Sequence, residues 1–222
     1  MKNIVTEQLT HAGRQIEHDS FAIVDAEAGP HGYSTEEWQV VRRMIHATAD
    51  FEFNGLTQFA PQAVAAGVQA LLSGAPIVAD VEMICVGLST PRLNHFNVTT
   101  HQFIADEDVI AQAKAENSTR AVQAMRKAQR LNLLDGGIVA IGNAPTALLE
   151  VVRMVREEKL RPALVIGMPV GFVSAAESKA QLSETETETI PWIVIDGRKG
   201  GSTLVVAAIH ALLALAEAQQ AA

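Results

Sequence analysis

The sequence predicts an α/β fold: a doubly wound, mainly parallel sheet of about five strands with N-terminal helices packed on it, in a single domain over residues 1–222. Three observations carry that expectation. Short apolar runs rich in β-branched residues recur at 76–80, 96–103, 137–142, 163–167 and 192–196. Amphipathic helical stretches separate most of them, at 106–133, 144–160, 173–183 and 202–218. Glycine and proline cluster just after the last three runs. Continuous apolar strands imply a sheet covered on both faces, and alternation with helices implies parallel pairing. A flavodoxin-like or related doubly wound order suits this pattern, although the pattern does not specify strand order.

Taken in chain order, the first third reads as helical. Ser34-Thr35-Glu36-Glu37 has the form of a capping box, in which the serine and the glutamate three residues on satisfy free N–H groups. Trp38, Val41 and Ile45 then recur at helical spacing, predicting a helix over 35–47. Pro61 suits a first helical position and Gly74 a C-terminal cap, which predicts a helix near 61–73. Within the long stretch 106–133, Asn117-Ser118-Thr119-Arg120 interrupts the polar face and reads as a kink, an exposed patch or part of a site. Glu184–Thr189 alternates Glu and Thr and reads as a solvated loop.

Composition removes several classes of function. One cysteine excludes a disulfide framework, no Cys/His spacing suits zinc, and a reducing cytoplasm is the expected compartment. A net charge of -8 argues against a nucleic-acid binder. The N-terminal segment lacks the apolar stretch of a signal peptide. The longest apolar run, 204–216, contains His210 and is shorter than the ~20 residues that span a bilayer, so it reads as a buried or dimer-facing helix.

The three glycine turns are Gly142-Asn143-Ala144-Pro145-Thr146, Gly167-Met168-Pro169-Val170-Gly171 and Gly197-Arg198-Lys199-Gly200-Gly201-Ser202. In an open α/β sheet ligands bind beyond the carboxyl ends of the strands, where glycine permits close approach and helix starts offer N–H groups. Tight strand-to-helix turns need the same glycines; three in series favour a ligand site. No dinucleotide fingerprint, phosphate loop, serine elbow or zinc-helix motif is present. His95 and His101 could share a strand face, but nothing completes a metal site with them, and Cys85 reads as an inert core thiol. Glu177 and Lys179 read as a local ion pair or as part of a binding loop. Arg43 and His46 stand at i and i+3 on one helical face, near its C-terminus. A histidine there can exchange a proton near neutrality, and the arginine can fix a carboxylate on the same ligand. The plainer alternative is a helix-end histidine beside a solvated arginine.

These residues, taken in order, resemble the precorrin-8X and cobalt-precorrin-8 methylmutases of corrin biosynthesis. The matching segments are Ser20-Phe21, Arg43–His46, Asn117–Arg120, Gly142–Leu148, Gly167–Val173, Ala175–Lys179 and Gly197–Ser202, which together extend over nearly the whole chain. The resemblance implies a flavodoxin-like fold, a homodimer and an isomerase that moves a methyl group from C-11 to C-12 of a tetrapyrrole. It implies no external cofactor, since any cobalt is carried by the substrate. It also implies that His46 is the proton donor/acceptor and that Ser20 and Arg43 contact substrate. Arg120, Lys179 and Arg198 are added as partners for the substrate's carboxylates, with Thr119, Asn143 and Lys199 as further substrate-binding residues, all from charge and predicted loop position. The stretch His46-Ala-Thr-Ala-Asp-Phe-Glu52 resembles the cobalt-early branch, whereas the metal-free branch tends to carry cysteine and glycine there.

Two other classes remain open. A non-catalytic tetrapyrrole carrier needs carboxylate clamps but no titrating acid, and His46 beside Arg43 counts against it. A binding or signalling domain would place a phosphate loop or acidic acceptor after its first strand; Asp80 and Glu82 stand there with no partner motif. The excess acid is expected away from the motifs, in 106–108 and 184–188, so that net charge does not decide the character of a local cleft.

Overall fold

In the computed structural model, residues 10–184 and 190–221 are described. Residues 1–9, 185–189 and 222 lie outside the described residues, among them all but Glu184 of the stretch 184–189 expected as a solvated loop. The elements run α1 (His11–Glu27), α2 (Thr35–Thr48), a kinked turn α3 (Phe53–Leu56), β1 (Thr57–Phe59), α4 (Ala63–Leu72) and β2 (Ile77–Ala79). Then follow α5 (Glu82–Gly87), α6 (Thr90–His95), β3 (Thr100–His101), α7 (Glu107–Ala115), α8 (Arg120–Arg130) and β4 (Ile138–Ile141). The chain closes with α9 (Pro145–Glu157), β5 (Leu164–Gly167), α10 (Ala175–Glu184), β6 (Trp192–Ile195) and α11 (Ser202–Ala221).

The sheet has six strands in the order β1-β6-β5-β4-β2-β3. Five are parallel and take the flavodoxin-like order 2-1-3-4-5, as expected of the class; β1 adds an antiparallel edge against β6, Thr57 facing Ile195. β1 is the strand that sequence reasoning missed, because three residues reading Thr-Gln-Phe are too short to show a period. β2, β4, β5 and β6 are buried at every position, which is why they read as continuous apolar runs. The strand expected over 96–103 shrinks to two residues, since Asn97 takes a left-handed conformation (φ 56°) and turns the chain first. His95 consequently ends α6 and does not share a strand with His101.

The helices form two layers. α7, α8, α9 and α10 neighbour one another in series, with α9 against β4 and α10 against β6. α11 packs on α4 and α5, and α2 lies outside it on α11, with α1 on α2. Of the N-terminal helices, α4 packs on β5 of the sheet, while α2 rests on α11 and α1 on α2. α11 is 20 residues long with mean hydropathy 1.5, and 61% of its most apolar stretch is buried inside the fold. It is largely a core helix, as the buried reading of 204–216 expects. The long helix expected over 106–133 breaks into α7 and α8 at Asn117 (φ 50°), and the Thr119 hydroxyl accepts the Val122 N–H at 3.2 Å to start α8. Lys127 then closes the hairpin on Asp106 and Asp108 at 2.7 and 2.6 Å. Pro61 lies two residues before α4 and not at its first position, because the left-handed Gln62 is the N-cap and the helix starts at Ala63.

α2 shows the capping box in full: Ser34 Oγ accepts from Glu37 N–H at 3.2 Å and the Glu37 carboxylate accepts from Ser34 N–H at 2.9 Å. Val40, Val41, Met44 and Ile45 form its buried face. Its C-terminus is capped by Ala49 in the left-handed region (φ 54°), where glycine carries no steric penalty. Ala49→Gly should stabilise the protein by about 1 kcal/mol in denaturant unfolding, because relief of the Cβ strain outweighs the extra entropy of an unfolded glycine.

Candidate active site

The carboxyl ends of the strands are tied together by the chain's own groups. Asp80, fully buried just after β2, accepts the N–H groups of Gly142, Asn143 and Ala144 at 3.0, 2.8 and 2.6 Å. Burial pushes its carboxyl above the usual carboxylate range against the pull of those three bonds. β2 and β4 flank the point where strand order reverses, so Asp80 fills the crevice that such folds offer to anions. The Gly142 turn thus has no N–H at 142–144 left for a ligand, contrary to the expectation from its glycine. Gly142 is required by packing instead: a Cβ there would meet Ser202 N at 2.8 Å. Val170 N–H donates to Gly142 O at 3.4 Å, Gly171 N–H to Arg198 O at 3.2 Å and Gly201 N–H to Met168 O at 2.8 Å, so the loops after β4, β5 and β6 form one interlocked platform. Gly200 lies where a Cβ would stand 2.3 Å from Met168 O.

Above the platform, α1 and α2 gather Ser20, Phe21, Arg43 and His46. The His46 ring lies 4.9 Å from that of Phe21. Phe21 is also covered by the Arg42 and Arg43 guanidiniums, at 4.5 and 5.6 Å. Arg43 pairs with Glu17 at 2.7 Å and Arg42 with Asp25 at 2.9 Å, while Trp38 Nε1 donates to Asp25 at 2.8 Å. Ser20 Oγ donates to the Ile16 carbonyl at 2.7 Å, a bond within its own helix. Although the residue is exposed, partial desolvation of its ring lowers the His46 pKa from its usual value, the Arg43 charge lowers it further, and Glu17 opposes both. α1 is held almost wholly by these polar contacts: Val24 is its buried residue, and Ile16 and Ile23 are 68% and 55% exposed.

The other candidates fall into two groups. Thr119 and Arg120 open α8 beside the start of α9, with Thr119 Oγ1 3.0 Å from Thr146 Oγ1; Arg120 and Asn143 are exposed. Arg198 stands 5.7 Å over the exposed Phe172 ring. The two lysines are engaged within the protein. Lys179 is 2% exposed, and its Nζ donates to the Lys199 carbonyl at 2.7 Å, so Glu177 is not its partner. Lys199 Nζ bridges Asp50 and Glu52. Acid therefore does stand beside the motifs, at Glu17, Asp25, Asp50 and Glu52, where the sequence reading had placed it elsewhere. Cys85 is half-buried, and burial raises its thiol pKa. Among the described residues no group of three or more His, Cys, Asp or Glu could hold a metal ion. A cleft of about 490 Å³ opens at the other end of α2, lined by Ser34, Gln62, Val68 and Leu215, roughly 18 Å along the helix from His46.

A family model described as precorrin-8X methylmutase matches residues 15–215. The chain belongs to this family. It is 54% identical over 211 residues to a cobalt-precorrin-8 methylmutase of Leptospira interrogans, covering 94% of this chain and 96% of that one. It is 39% identical over 201 residues to a precorrin-8X methylmutase of a Sinorhizobium species, covering 90% and 93%. The solved precorrin-8X methylmutase of Thermus thermophilus superposes with a TM-score of 0.87 at 55% identity, covering 93% of this chain and 98% of that one. The protein is a methylmutase, an isomerase of cobalamin biosynthesis acting on a tetrapyrrole.

Sequence reasoning had no means of finding Glu17 and Asp25 in the methylmutase, because their partners lie on another helix and no spacing rule links them. Nor did it find His210, whose role comes from three-dimensional packing. Arg92 Nη1 lies 3.1 Å from His210 Nδ1; arginine only donates, so Nδ1 accepts and Nε2, 3.2 Å from Gly87 O, carries the proton. Burial lowers the His210 pKa to about 4 from 6.5. The unfolded chain therefore binds one more proton than the folded chain between those values, and stability must fall as pH drops through that window. We expect a loss on the order of 2–3 kcal/mol between about pH 6.5 and 4 in denaturant titrations. His210→Gln should flatten that part of the curve.

Proposed function

We propose that the protein converts cobalt-precorrin-8 to cobyrinate by moving the C-11 methyl group to C-12, with His46 as general acid and base. One observation carries this reading: His46 closes α2 one turn after Arg43, its ring against Phe21, so a proton-exchanging group and a carboxylate fork meet on one face. The cobalt form of the substrate is favoured by residues 46–52 and by the two relatives of 54% and 47% identity, both named cobalt-precorrin-8 methylmutase.

A methyl shift between adjacent ring carbons is a rearrangement with no net gain or loss of atoms or electrons. It needs neither nucleophile nor redox cofactor; any cobalt arrives with the substrate. The protein contributes a fixed macrocycle and a proton on a ring nitrogen, which withdraws electron density and loosens the migrating methyl. Arg43 and Ser20 hold the substrate near His46, and Arg120, Arg198, Thr119 and Asn143 take peripheral carboxylates at the platform.

The electrostatics couple binding to protonation. In the free protein, partial desolvation and Arg43 disfavour the imidazolium form of His46. A substrate carboxylate on Arg43 offsets that guanidinium's effect and so raises the ring's proton affinity when substrate is bound. His46→Asn should lower turnover by roughly 10²–10⁴-fold while tetrapyrrole binding persists. The check is the visible spectrum of substrate incubated with each enzyme: a lasting corrin chromophore marks conversion. Wild-type turnover by His46→Asn would remove the assignment, and binding without conversion by the wild-type protein would favour the carrier.

We further propose a cytoplasmic homodimer. Its support is the apolar surface of one chain, with Phe172 84%, Val173 82% and Val86 72% exposed. Sedimentation should give twice the mass of a chain of 23.7 kDa.

A further inference from the structure

Lys179 is among the largest fully buried side chains in the protein, although it carries an ammonium. Burial pushes its pKa down to about 8, partly offset by Asp196, so it remains charged at neutral pH. Burying such a group is unfavourable unless its bonds matter, since methionine would fill the same space. Its Nζ donates to the main-chain carbonyl of Lys199 at 2.7 Å, fixing the loop after β6 from the side of α10. From that anchored backbone the Lys199 side chain crosses to Asp50 and to Glu52, the latter at 2.8 Å.

Little slack separates those carboxylates from His46. The Asp50 carboxylate accepts Glu52 N–H at 3.0 Å, and Asp50 N–H donates to Thr48 Oγ1 at 3.3 Å. Thr48 Oγ1 donates in turn to Met44 O at 2.8 Å, and Ala49 N–H to Ile45 O at 2.7 Å. The apolar face of α2 fixes the body of the helix through Val40, Val41, Met44 and Ile45, while His46 is exposed.

We propose that Lys199, held by Lys179, is a positioning residue that fixes the last turn of α2 and so sets the His46 ring against the macrocycle. This rests on His46 being the acid–base group. Because Arg198 precedes Lys199 on the same anchored backbone, the link also sets the separation between a carboxylate clamp and the proton donor. Lys199 then acts through Asp50 and Glu52 and takes no substrate carboxylate.

The test is steady-state kinetics and product affinity of Lys199→Met, Lys199→Arg and Lys179→Met, each alone and in a His46→Asn background. A shift of ~1 Å in a catalytic group costs up to ~10²-fold, so Lys199→Met should lower kcat about ten- to a hundredfold. KM and product Kd should stay within about twofold, because no binding contact is lost. Lys199→Arg should restore most of kcat, and Lys199→Met should cost nothing more once His46 is Asn. The exposed ion pairs add little stability, so Lys199→Met folds normally even if Lys179→Met does not. Unchanged kcat in Lys199→Met, or a loss that appears in KM and product Kd, overturns the proposal. His46→Asn with wild-type turnover overturns the His46 reading and this proposal together; an inactive His46→Asn beside a fully active Lys199→Met overturns this proposal alone.

Discussion

The constraint on which the functional end of the molecule depends is the Asp80 carboxylate and the three N–H groups it receives from residues 142–144. Charge-assisted hydrogen bonds inside a dry crevice are strong and directional. They hold the loop after β4 in one conformation. That loop receives Val170 N–H, the loop after β5 receives Gly201 N–H, and the loop after β6 supplies the carbonyl that Gly171 N–H reaches. Loosening Asp80 would therefore release three loops, not one. It also explains why the usual anion position of this architecture is closed: the protein supplies its own anion there.

A second feature is the way acid and base are shared. The chain carries a net charge of -8, yet Arg42, Arg43 and Lys199 gather around the end of α2. Glu17, Asp25, Asp50 and Glu52 neutralise Arg43, Arg42 and Lys199 within hydrogen-bond reach. Each pair is partly exposed, so its contribution to stability is small. Its effect is to orient guanidinium and ammonium groups that would otherwise sample many rotamers, and to moderate the like-charge effect of Arg43 on His46. Away from the site, Glu150 receives Arg126 and Arg153 at 2.8 and 2.6 Å and joins α8 to α9, a purely structural use of the same chemistry.

How much of this was legible in the sequence depends on how local each cause is. The capping box, four of the five apolar strands and the helical face shared by Arg43 and His46 rest on spacings within a few residues, and each is where the spacing implies; the run 96–103 keeps only two strand residues because Asn97 turns the chain. The break in 106–133 was marked by Asn117–Thr119, but those residues fit a kink, a patch or a site equally, and only the fold-back onto Asp106 and Asp108 made it a hairpin. β1 was invisible because an edge strand of three residues is defined by its partner β6 and not by its own pattern.

By itself the sequence determined the α/β class, the capped start of α2, the glycine-bearing turns and, through seven ordered segments, the family. Those are properties of local propensity and of residue identity. Tertiary structure alone decided the antiparallel edge, the sealing of the crevice by Asp80, the core position of α11, the acid partners of the arginines and the burial of Lys179. Each joins residues far apart in the chain, such as Asp80 with Asn143 and Lys199 with Asp50. No pattern along one strand or helix records which carboxylate or carbonyl a cation meets once the loops interlock.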